Sequence, residues 1–267
     1  MIANIQKKRI IEYLKEGKRF DGREPLETRE IKIEENVSKN AEGSLSFLLG
    51  KTEIYVGVKM SVVEPYPDSP DEGTLSVNVE LSPIADEEFE LGPPKIEAIE
   101  MARVVDRGIR ESGLIDFKKL CIKEGEKCWQ INIDICAINN DGNLIDASSW
   151  ASLIALFLTK LPKYDEEKGV IEKEKTNNPL PLNKELMVFN LTFYKIGDVF
   201  VIDPTKEEEE IADYRISFGI VDRDGEPIVS SIQKGREGEI SIEELEEIFK
   251  AIKEKYKNLY SKIKDLI

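Results

Sequence analysis

Two stretches of this chain carry residue types and spacings that could do chemistry. The first is Ala137-Ile-Asn-Asn-Asp-Gly-Asn-Leu-Ile-Asp146, followed by Ala-Ser-Ser-Trp150. It reads as a strand end, a turn at Asp141-Gly142 and the mouth of a helix, where free backbone N–H groups ordinarily seat an anion. The turn carries no Arg, Lys or Thr, and Asp146 is expected to cap the helix with a negative charge. Such a mouth has the geometry for phosphate and a chemistry that repels it. The second stretch is Arg103, Arg107 and Arg110, four and three apart and therefore on one helix face. Asp106 and Glu111 stand beside them, so the ordinary reading is a surface helix laced with ion pairs. The functional reading is a cationic stripe, because the planar guanidinium grips phosphate or carboxylate with two parallel hydrogen bonds.

The rest of the inventory narrows the chemistry. There is no His, and the three cysteines Cys121, Cys128 and Cys136 lack C-x-x-C spacing, so neither a zinc site nor any other metal or cofactor is expected. The cysteines read as small core residues. Acid–base work would fall to carboxylates, Lys or Tyr. The formal charge of −15 gives an average field that repels nucleic acid, so such a partner would need a local basic patch or a more basic companion protein. No apolar run approaches the roughly 18 residues of a membrane span, and the basic start lacks an apolar signal core. A cytoplasmic protein without membrane contact is expected.

These residues must be positioned by a definite order of elements. A helix is expected over residues 3–16, ended by Gly17, followed by a loop Arg19-Phe-Asp-Gly-Arg23 whose two arginines read as loop charges. Strands are expected at Glu27–Ile33, Ser44–Leu49, Glu53–Val63 and Thr74–Leu81. A helix after Pro93-Pro94 carries the arginine stripe and stops at Gly113. Trp129 to Ala137 alternates as a strand. The helix opened by Asp146 is apolar nearly all round to Leu161, as for a helix held between two layers. Residues 163–185 read as a charged loop. Four more strands follow, then a helix opened by a capping box, Ser241-Ile-Glu-Glu244. The pattern is α+β in two similar halves: 1–17 a leading helix, 18–165 the first half, and 166–267 the second half with the C-terminal helix.

In order, Lys18-Arg-Phe-Asp-Gly-Arg-Glu24, Ala41-Glu-Gly-Ser44, Gly50-Lys-Thr-Glu53, Glu100 to Ser112, the Asp141-Gly142 turn, Asp203 to Asp213 and Gln233-Lys-Gly235 resemble the ribonuclease PH family. The resemblance is nearest to the branch described as the non-catalytic ring subunit of the archaeal exosome. It implies a fold like ribosomal protein S5 domain 2. It further implies an alternating hexameric ring with a catalytic homologue, RNA-binding cap subunits, and 3′-to-5′ phosphorolysis of RNA.

The phosphate-holding pair of catalytic members, Thr-Arg or Ser-Arg, falls by this resemblance on Leu144 and Ile145, and a second phosphate-holding Arg falls near Glu97. Their RNA-gripping strand and loop fall on Ser76–Glu80 and the acidic Ala85–Glu90. Phosphorolysis brings two anions together, so each lost cation weakens it. The implied role is a subunit with no catalytic residues of its own, with Arg103, Arg107 and Arg110 touching RNA or the neighbouring subunit. Two alternatives stand beside it. One is an active phosphorolytic enzyme using Glu207 and Asp213, although Glu207–Glu210 read more simply as a solvated acidic run. The other is a protein-binding scaffold unrelated to RNA.

Overall fold

The computed structural model describes residues 4–172 and 176–267. Helix α1 (Asn4–Lys15) precedes a loop that runs to β1 (Ile31–Glu35). The strand expected from Glu27 begins only at Ile31, because the backbone N–H of Arg29 donates to the Asp203 carboxylate at 2.7 Å rather than to a neighbouring strand. Strands β2 (Gly43–Leu49), β3 (Thr52–Val63) and β4 (Thr74–Leu81) follow, then α2 (Ile96–Arg110). A single 3-10 turn at Phe117–Leu120 leads into β5 (Cys121–Lys123) and β6 (Lys127–Asn139). These strands form one sheet in the order β1-β2-β3-β6-β4, with β5 also paired to β6. Only β4 runs parallel to its neighbour, since α2 lies between β4 and β6 in the chain and supplies the crossover.

Helix α3 (Leu144–Leu158) is buried at every position from Leu144 to Leu156. It lies between the two sheets, touching β2, β3 and β6 on one side and β9 (Val188–Ile196) on the other, which explains its all-round apolar character. It stops three residues before the expected Leu161: Thr159 turns into extended backbone and bonds back to the Ala155 carbonyl. Within the segment expected to be a charged loop, β7 (Tyr164–Asp165) and β8 (Val170–Ile171) form a small hairpin.

The second sheet is antiparallel, ordered β10-β9-β11-β12, with β10 (Val199–Ile202), β11 (Tyr214–Arg223) and β12 (Glu226–Gly235). Between β10 and β11 stands a short helix, α4 (Lys206–Ile211). The C-terminal helix α5 (Ile242–Lys264) begins with both halves of the expected capping box and covers the outer face of this sheet. There Phe189 stacks on Tyr256, with ring centroids 6.1 Å apart. Covered on both faces, β9 has eight of its nine residues buried, and each large apolar side chain so buried stabilises the fold by roughly 1.5–3 kcal/mol. No helix among the described residues is long and apolar enough to cross a membrane.

Candidate functional site

The turn before α3 is held by contact with the β10–α4 segment. Gly142 has φ +88°, and a Cβ there would stand 2.5 Å from the Pro204 carbonyl oxygen, so only glycine fits both the conformation and the space. Asn143 takes the N-cap position in left-handed conformation. Asp146 therefore does not cap the helix. It occupies the third helical position with its side chain turned into the core, accepting from the Thr192 N–H at 3.0 Å and the Thr192 hydroxyl at 2.7 Å, which is itself 2.9 Å from Ser217.

Burial pushes the Asp146 carboxyl up to about 7, only partly offset by those two hydrogen bonds. Because the folded form holds this proton more tightly than the unfolded chain, the group favours folding below its ordinary carboxylate range. That contribution fades as pH rises toward 7. Asp146→Asn should therefore flatten the fall in unfolding free energy between pH 5 and 7, where one such group contributes at most about 1.4 kcal/mol per pH unit. Denaturant melts of both proteins across that window check it, and equal slopes would refute it.

The negative charge at the mouth comes from elsewhere. α4 opens with Thr205 and Glu208 as a complete capping box, and the helix presents Glu209 to α3. Glu209 accepts the Asn143 backbone N–H at 2.9 Å through one oxygen and the Tyr194 hydroxyl at 3.1 Å through the other. Asp203, fully buried, accepts from the Asn143 side-chain amide at 3.0 Å. The first two helical residues, Leu144 and Ile145, are buried apolar side chains. The helix mouth that could seat a phosphate is thus occupied by the chain's own carboxylates.

The cations around this mouth are already engaged. Arg29 bonds Asp203 through Nε and Nη2, and the carbonyls of Asp141 and Gly142 at 2.8 and 3.0 Å. Burial lowers the proton affinity of its guanidinium, but Asp203 and Asp141 outweigh that, and the group is held above its ordinary value. Arg23 reaches Asp203 at 3.1 Å. Lys206 pairs with Asp86 at 2.7 Å.

Arg19, expected as a loop charge, is instead fully buried, doubly bonded to Glu208 and to the carbonyls of Ile202 and Asp203. The run Glu207–Glu210 is accordingly not a uniformly solvated one. Glu208 is buried and Glu209 half-buried, while Glu207 faces solvent. Glu207 and Asp213 lie at opposite ends of α4, and Asp213 receives the Gly197 N–H at the β9–β10 turn. The carboxylates brought to the helix mouth are Asp203 and Glu209. Arg29 and Glu209 were missed in the sequence; the Thr205-x-x-Glu208 signature was the available signal for the second.

The arginine stripe is split by its surroundings. Arg110 forms a two-pronged pair with Asp106 and bonds the Leu75 carbonyl at 2.9 Å. Arg103 and Arg107 are exposed and, among the described residues, their side chains make no hydrogen bond or ion pair. They stand over a groove of about 300 Å³ between α2 and β12, flanked by the exposed Ile96, Ile99 and Ile232. Glu97 is exposed on the first turn of α2, where it lines a separate, acidic cleft with Glu80, Glu88 and Glu90. Among the described residues no group of His, Cys, Asp and Glu is arranged to hold a metal ion.

Models of the 3′ exoribonuclease family match its first domain at residues 27–162 and its second at 187–254. The chain is 44% identical over 242 residues to the exosome complex component Rrp42 of Methanopyrus kandleri, covering 90% of this chain and 88% of that protein. It is also 44% identical to the Rrp42 of Thermococcus kodakarensis, over 92% of this chain and 89% of the relative. Among solved structures, a chain of the Archaeoglobus fulgidus exosome with RNA bound to the active site superposes with a TM-score of 0.85 at 37% identity, covering 96% of this chain and 98% of that one. With both domain models matched in order and identity sustained along nearly its whole length, the chain belongs to the ribonuclease PH family of 3′ exoribonucleases.

Proposed function

We propose that this chain is a non-catalytic subunit of an exosome-type complex that degrades RNA from its 3′ end by phosphorolysis. It works in the cytoplasm, in a hexameric ring alternating with a catalytic homologue and joined by RNA-binding caps. The observation that carries the reading is the Glu209 carboxylate on the Asn143 N–H, at the helix mouth where catalytic members of the family hold phosphate. Phosphorolysis needs inorganic phosphate brought against a phosphodiester, and catalysis is then mostly neutralisation of charge. Here the mouth is anionic, its first side chains are Leu144 and Ile145, and the arginines nearby are spent on Asp203 and Glu208.

Arg103 and Arg107 are the residues suited to act on RNA. They are exposed, unpaired and one helical turn apart, so both guanidiniums can reach successive phosphates or brace a neighbour's site. The names of the relatives support the assembly. Purified chain with RNA and phosphate should release no nucleoside diphosphates, and mixing with the catalytic homologue should restore release. Sustained phosphorolysis by the chain alone would instead favour the active-enzyme alternative.

A further inference from the structure

A cleft of about 620 Å³ runs along β4. Its floor is apolar, built from Val79, Leu81 and Phe89 with Pro94 at one end. Its rim carries Glu80, Glu88, Glu90, Glu97 and Asp134, against the single cation Lys95, which is already paired with Glu90 at 2.7 Å. Beside it Leu91 is 83% exposed.

β4 is also an edge strand. It pairs with β6 on one side only, and among the described residues no backbone hydrogen bond leaves Ser76 to Leu81 on the other. Arg110 donates to the Leu75 carbonyl, three residues before Asn78, where the cleft begins. An open edge above an apolar floor is a template for one more strand. The charge of the rim decides which kind: phosphates are repelled, and a second copy of a chain with a net charge of −15 is disfavoured.

We propose that this cleft docks an extended Lys- and Arg-rich segment of a protein partner, added as a strand to β4 with its cations among the rim carboxylates. Alternate side chains of such a segment would face the apolar floor, and the others would meet Glu80 and Glu88. The inference deepens the assembly reading above by naming the chemistry of the partner at this face, and rests on it for the existence of a partner. The test below needs neither the assembled ring nor catalysis, so the two can fail separately.

The probe is a fluorescent peptide alternating Lys and Val, about ten residues long, with a Glu-for-Lys counterpart as control. Anisotropy titrations use the full chain at low and high salt. The basic peptide should bind and weaken with salt, the acidic one should not bind, and amide shifts should localise to β4. Glu80→Lys with Glu88→Lys should lower affinity about tenfold or more. Glu246→Lys with Glu254→Lys on α5 changes the net charge equally and should leave affinity nearly unchanged. Equal losses in both pairs would mean attraction by net charge alone and would overturn the proposal. So would an absence of basic-peptide binding, oligouridylate binding at β4, or self-association through this edge.

Discussion

Asp203→Ala is expected to destabilise the chain by about 3–5 kcal/mol, the size seen when one partner of a buried ion pair is removed. Asp203 is fully buried and gathers Arg29, Arg23 and the Asn143 amide around one carboxylate. Its loss would leave the Arg29 guanidinium, itself only 9% exposed, without its main counter-charge. It would also free the Arg29 N–H that fixes the start of β1. For a chain of this size the melting midpoint should fall by roughly 10 °C. Asp203→Asn keeps the shape and part of the hydrogen bonding, so it should recover only part of the loss. Glu207→Ala, four residues away and facing solvent, should change stability by less than about 0.5 kcal/mol. If Asp203→Ala melted like Glu207→Ala, the hub would have no structural weight.

Reversing both free arginines should have the largest functional effect. In the assembled complex, Arg103→Glu with Arg107→Glu is expected to weaken RNA binding by on the order of 10- to 100-fold at low salt, with degradation falling in parallel. Each phosphate contact adds about 0.7 to the salt slope of single-strand binding, so losing two should lower that slope by about 1.4. Assembly itself should be monitored by mass, because the same arginines could instead brace the neighbour. Reduced assembly would assign them to the subunit interface, and intact assembly with weak RNA binding would assign them to RNA. Lys253→Glu with Lys257→Glu, both exposed on α5, makes the same change in net charge and controls for it. An unchanged affinity and rate in the double variant would remove both roles.

What the sequence revealed and concealed follows from the range of the interactions. The exposure of Arg103 and Arg107 on one helix face follows from a local period, and their spacing was legible. The same holds for the α5 capping box and for an apolar α3 held between layers. The position of Asp146 was misjudged by three residues. Asn143, in left-handed conformation, was able to end the turn, and this moved Asp146 from the solvent-facing cap to an inward-facing first-turn position. The charge expected at the helix mouth is present, but it arrives from Glu209, 66 residues further along the chain. Arg19 looked like a loop charge and Arg29 like an ordinary strand residue because their partners, Glu208 and Asp203, lie 189 and 174 residues away. Such closures depend on how the two sheets pack around α3, which no local window contains.

The central claim is that the chain's own carboxylates fill the site a phosphate would need. Titration of inorganic phosphate into the isolated chain at neutral pH, followed by calorimetry and by the amide resonance of Asn143, tests it most directly. The account predicts no saturable heat and no shift of that resonance. Saturable binding with Asn143 shifting in step would contradict it.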